Sequence, residues 1–203
     1  MTKTHTPPRG RPREFNQDKA LSAALLLFWK HGYEGTSLAQ LTKAMKITAP
    51  SLYAAFGSKA QLYRQTLDLY QSTHGDPLAQ ALQAPGPARK VVEQLLTTAA
   101  LQFSRAEFPS GCLVANGALR CGRAHGAAAT ATSTLRRMSQ DALVQRLAQA
   151  VSAGELPRAT DPAELAAFYA AVIQGMSVQA VDGATRKQLL KLATLAMAAW
   201  PGK

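Results

Sequence analysis

The sequence predicts an all-α protein, with a three-helix head at the N-terminus and a larger helical body behind it. Apolar residues recur at three- and four-residue spacing almost from end to end. Strand-like alternation is nearly absent. Four segments also open on a side-chain oxygen followed three residues later by Glu or Gln: Ser37 with Gln40, Ser58 with Gln61, Asp161 with Glu164, and Thr185 with Gln188. That spacing lets two side chains satisfy each other's orphan N–H groups at a helix start.

Taken in order, the helices are expected over 17–31, 38–45, 49–55, 59–74, 77–84, 87–106, 111–123, 127–153, 162–181 and 185–199. Gly32, Gly57, Gly75, Gly154 and Gly183 fall at segment ends, and Pro77 and Pro162 fall just inside segment starts. Both placements suit helix termini. The Pro/Gly-rich seam "QAPGPAR" (83–89) and the turn "RAEFPSG" (105–111) break the body. The expected division is a basic arm over 1–14, a head over 15–60 and a body over 61–203.

The 203 residues can bury a real core, and 47% hydrophobic with 17% charged residues describes a folded chain. No apolar run reaches the 18 or so residues of a membrane span, and no apolar stretch follows the basic N-terminus, so a cytoplasmic protein is expected. Two cysteines make no disulfide framework. On one continuous helix Cys112 and Cys121 would lie on opposite faces and could not pair. The four histidines are scattered, so neither a metal site nor a cofactor is expected. No nucleophile elbow, phosphate loop or paired catalytic carboxylates point to an enzyme.

Charge is uneven. Residues 1–60 carry nine Lys/Arg against three Asp/Glu, while residues 61–203 carry fourteen against nine. A basic head on a nearly balanced body favours a polyanion partner at the head. In the first helix Ala20, Ala23, Ala24, Leu27, Phe28 and His31 share one face; in the second, Leu38, Leu41 and Met45 do. Leu52 and Phe56 turn inward from the third, leaving Thr48, Ala49, Ser51, Tyr53 and Ala54 outward. Two short helices joined by a tight turn with their apolar faces inward make a helix-turn-helix.

A helix that enters the major groove favours small or hydrogen-bonding side chains in its first turn. Pro50 stiffens that turn where no donor is needed. Tyr53 and Lys59 suit phosphates, as do Thr36 and Ser37 at a helix N-terminus. Ahead of the head, Pro8-Arg9-Gly10-Arg11-Pro12 matches the core of an AT-hook, an extended segment that lays arginines along a narrow A·T-rich minor groove. Arg9, Arg11 and Arg13 are the expected contacts there.

The stretches "LFWKHGYEGTSL", "LTKAM" and "SLYAAFGSKAQLY" occur in order and at matching separations over residues 15–70. They resemble the N-terminal domain of the TetR family of bacterial transcriptional regulators. The resemblance implies an all-helical homodimer that binds a palindromic double-stranded operator through its heads and a small effector in its body. It implies DNA contacts at Thr36, Ser37, Thr48, Ala49, Pro50, Ser51, Tyr53 and Lys59.

In the body, "FPSGCLVANGALRCG" and the last two helices also resemble a branch of that family, whose members dimerise through the final pair. The expected dimer face is Leu165, Val172, Gln179, Leu189, Leu192, Leu195 and Ala196. The expected effector pocket is Phe103, Phe108, Cys112, Leu113, Asn116, Met138, Phe168, Tyr169 and Met176, a mostly apolar set suited to an apolar or aromatic compound. Two alternatives stay open. One is an architectural DNA-binding protein with little sequence preference; the other is a thiol redox-sensing repressor acting through Cys112, at a helix start with Arg105, Arg120 and Arg123 near in sequence.

Overall fold

In the computed structural model, residues 16–119, 121–122 and 126–202 are described. The arm with Arg9, Arg11 and Arg13 lies outside them, as do Arg120 and Arg123. The described residues hold helices and connecting segments and no strand. The helices are α1 (Gln17–His31), α2 (Leu38–Met45), α3 (Ala49–Phe56), α4 (Lys59–Tyr70), α5 (Asp76–Gln83), α6 (Ala88–Phe103), α7 (Leu113–Asn116), α8 (Gly126–Ser152), α9 (Pro162–Val181) and α10 (Arg186–Met197).

Caps set most of the starts. Reciprocal capping boxes form at Ser37, Ser58 and Thr185. Asp161 caps α9 alone, accepting from the N–H groups of Ala163 at 2.7 Å and Glu164 at 3.3 Å. Between α2 and α3 the chain turns through Lys46, whose φ of +58° is left-handed in a non-glycine residue. Its N–H donates to the Lys43 carbonyl and that of Ile47 to Thr42, closing the tight turn of the helix-turn-helix.

The head core collects Ala20, Ala24, Phe28, Leu41, Met45, Leu52 and Phe56, with Leu62 and Tyr63 from α4. α1 turns the expected face inward, with Ala23 and Leu27 packed against this core, but it buries Leu25 and Trp29 as well and leaves His31 exposed. The reason is that α1 serves two neighbours, α2 on one side and α4 on the other. In the body α8 packs on α9, and α6 packs on both α5 and α10, around Leu96, Phe103, Leu147, Tyr169, Met176 and Leu189.

Two expected helices differ. The 59–74 segment passes into a π-helical turn over Gln71–Gly75 and runs on directly into α5. Among its described residues the 111–123 segment is helical only over Leu113–Asn116, because its backbone is committed to other elements. Gly111 accepts from Trp29 Nε1 at 3.1 Å, the Cys112 N–H donates to Ser177 Oγ at 2.8 Å, and Gly117 accepts from the Tyr33 N–H at 2.7 Å. Cys112 is the N-cap of α7 and Cys121 lies beyond that helix, so they do not share one helix, and both are free thiols.

α9 is also more apolar than expected. An 18-residue window of this 20-residue helix reaches a mean hydropathy of 1.2, enough by length and composition alone to cross a membrane. Its two faces explain this: one is in the core, and the other exposes Phe168, Val178 and Val181.

Candidate nucleic-acid interface and effector cavity

α3 presents the surface that its sequence suggests. Thr48 caps it, its hydroxyl accepting from the Ser51 N–H at 3.3 Å and lying 2.9 Å from the Ser51 hydroxyl. Leu52 and Phe56 are buried, so Thr48, Ala49, Pro50, Ser51, Tyr53 and Ala54 form one exposed face, with Tyr53 47% exposed. Ser37 is exposed at the start of α2, where its hydroxyl serves the cap. Thr36 departs from expectation. It is fully buried, and its hydroxyl donates to the Gly32 carbonyl at 2.7 Å, so its side chain braces the α1–α2 turn and presents nothing to solvent.

Lys59 stands with its Nζ 4.3 Å from the centroid of the Tyr33 ring. Burial pulls its ammonium pKa down, and Glu34 and Cys121 oppose that shift. An ammonium fixed over a ring at the start of α4 is a pre-oriented point charge for a phosphate. Lys59→Ala is expected to weaken binding to all DNA sequences alike and to reduce the salt slope by about one, read from titrations at several salt concentrations.

The body holds a cavity of about 770 Å³. Its walls come from Tyr70 and the π-turn, from Leu78 and Leu82 of α5, Leu95 and Phe103 of α6, Cys112, Val114 and Ala115, one face of α8, and Ala170 and Ile173 of α9. Of the nine expected pocket residues, Phe103, Cys112 and Met138 line it. The others have different neighbours. Phe108 stacks on Trp29 at 5.8 Å and packs edge-on to His74 at 4.4 Å. Leu113 and Met176 are fully buried core, and so is Tyr169, whose phenol burial pushes up to about 12. The Asn116 amide donates to Ser177 Oγ at 2.9 Å, and Phe168 is 41% exposed. Aromatic and Met residues at helical spacing fill cores as readily as they line pockets, and the sequence alone does not separate the two.

Cys112 does not have the surroundings of a reactive thiolate. Burial pushes its thiol up, outweighing the neighbouring Tyr70 hydroxyl, two backbone N–H groups and Arg136, all of which pull the other way. A half-buried thiol held protonated in this way is a poor nucleophile. Iodoacetamide at pH 8 is expected to alkylate Cys112 at least about tenfold more slowly than glutathione, read by peptide mass spectrometry.

The residues of the expected dimer face divide by exposure in the single chain. Leu189 is fully buried and Ala196 nearly so, while Leu165, Val172 and Leu192 pack against the intrachain core. Gln179 is exposed, and so is Leu195, at 64%. The apolar surface that one chain leaves uncovered on this pair is Phe168, Val178 and Val181 of α9 with Leu195 of α10. A Cβ added at Gly175, on α9 between Phe168 and Val178, would meet nothing, so no intrachain neighbour requires a glycine there.

A helix-turn-helix with an open recognition face, carried on a helical body with a cavity, defines a DNA-binding transcriptional regulator. Comparison with known proteins agrees. Residues 20–66 match "Bacterial regulatory proteins, tetR family", and residues 84–189 match "Tetracyclin repressor-like, C-terminal domain". The chain belongs to the TetR family of bacterial transcriptional regulators and is not an enzyme.

It is 35% identical over 194 residues to the HTH-type transcriptional repressor ComR of Escherichia coli K12, covering 95% of this chain and 92% of ComR. It is 39% identical over 117 residues to the repressor BdcR of the same organism, covering 58% and 59% of the two chains. Among solved structures it superposes on a cysteine mutant of the TetR family regulator CifR, complexed with 26-bp double-strand operator DNA. That match has a TM-score of 0.89 and 44% identity and covers 95% of this chain and 100% of that one.

Proposed function

We propose that this protein is a cytoplasmic, ligand-responsive repressor that binds a palindromic operator as a homodimer. The observation that carries the reading is the position of the cavity. Its wall includes Tyr70 and the π-turn at the end of α4, and α4 begins at Lys59, immediately after the recognition helix. A single helix therefore joins the effector site to the DNA-reading surface. A ligand that fits the cavity better in one setting of α4 shifts the population of heads that can reach both half-sites, with a coupling of about 1–3 kcal/mol.

Thr48, Ala49, Pro50, Ser51 and Tyr53 are the proposed groove and backbone contacts. Ser37 and Lys59 are proposed phosphate contacts, Thr36 acts through the turn that it braces, and Arg9, Arg11 and Arg13 contact the minor groove. The names of ComR and BdcR support repression, and the operator complex of CifR supports a double-stranded DNA site. Footprinting on a selected operator tests this: two protected half-sites are expected, separated by about 34–36 Å or a multiple of it. A single protected half-site occupied by one protomer contradicts it. Ser51→Ala is expected to change base preference more than salt dependence, measured by selection from a randomised operator library.

A further inference from the structure

The cavity's polar groups are unevenly signed. Its lining includes Arg136 and Arg146, several glutamines, and no Asp, Glu or Lys among the described residues. Arg136 is half-buried, and its Nη1 donates to the Val114 carbonyl at 2.7 Å. A carbonyl orients a guanidinium without neutralising it. The sole ion pair among the described residues, Arg105 with Glu107, lies elsewhere. A cation drawn out of water without a counter-charge is costly, and an anion delivered to it relieves that cost.

Arg146 lies ten residues further along α8, about 15 Å along the helix axis. It donates to the exposed Gly86 carbonyl, where water competes for the charge. Between the two ends, Leu78, Leu82, Leu95, Phe103 and Ile173 supply an apolar wall.

We infer that the cavity takes an amphipathic organic anion, its charged group paired with Arg136 beside Tyr70 and its apolar body laid against α5, α6 and α9. The inference rests on this cavity being the effector site. It narrows the apolar or aromatic class expected from sequence to compounds with an anionic head. Such a ligand places its charge against the wall formed by the end of α4, where a displacement is felt by the head. A cationic amphiphile of equal size meets two guanidinium groups and is rejected.

Calorimetric titration of the wild-type protein with decanoate, 1-decanol and decyltrimethylammonium, each below its micelle concentration, tests this. Decanoate is expected to bind at least about tenfold more tightly than decanol, with no measurable binding of the cation. Arg136→Gln is expected to erase the preference for decanoate over decanol, and Ala142→Trp, which fills the cavity from α8, to abolish binding of both.

Equal binding of decanoate and decanol, or a preference that survives in Arg136→Gln, overturns the anion class while leaving the cavity as the effector site. If none of the three binds to protein with a cooperative melting transition, both the class and the effector-site reading fall. Binding undiminished by Ala142→Trp places the ligand elsewhere and overturns the inference.

Discussion

A protein carrying both Phe168→Glu and Leu195→Glu is expected to remain folded, to elute as a monomer, and to bind its operator about 10²- to 10⁴-fold more weakly. Both side chains are exposed in the single chain, so their loss opens no intrachain cavity. The stability of the isolated protomer should therefore change by less than about 1 kcal/mol. The large effect comes from geometry. In the proposed homodimer one head reads one half-site, and the second head acts at high effective concentration only while the protomers are joined. Two glutamates on a self-complementary surface face their own copies across a two-fold axis and repel. Light scattering reads the oligomeric state, and gel shift the affinity. A doubly substituted dimer with unchanged affinity would put the dimer face elsewhere.

Gly111→Ala should have the second largest effect, this time on stability. Gly111 sits at φ +79°, and an added Cβ would lie 2.8 Å from the Ser177 carbonyl oxygen and 2.9 Å from a Val181 methyl. Backbone atoms of α9 cannot swing aside as a flexible side chain would. The same residue accepts from Trp29 and neighbours the N–H that donates to Ser177 Oγ, so a shift at this point loosens the head from α9. The loss is expected to be about 2–3 kcal/mol, seen as a fall in Tm of roughly 4–10 °C. Gly154→Ala is the control: its φ is +76°, and an added Cβ meets nothing within 4 Å. It should cost only about 1 kcal/mol, the left-handed backbone penalty. Equal losses at the two positions would remove the packing explanation.

The head was legible because its signals are local. Capping boxes at Ser37 and Ser58, the N-cap at Thr48 and the inward Leu52 and Phe56 can all be read within a few residues, and α2 matches its expected bounds. The body was less legible, for two physical reasons. α9 and α10 are apolar on more than one face, so periodicity finds the helices without saying which face meets the chain's own core. Leu189 therefore proved buried, while Leu195 is exposed. Residues 111–117 are held by Trp29, Tyr33 and Ser177, contacts at long sequence separation that override local helix propensity. The cavity is marked by what its wall lacks among the described residues, a carboxylate beside Arg136, and no spacing rule announces an absence of that kind.

In the proposed function α3 reads a defined operator. The most direct measurement is to mix the purified full-length protein with fragmented DNA from its source genome at physiological salt and sequence what stays bound. A few recovered fragments sharing one palindrome are expected, with half-sites about one helical turn or a multiple apart. Broad recovery of A·T-rich fragments with no shared motif would contradict it, and would assign binding to the arginine-rich arm and net charge.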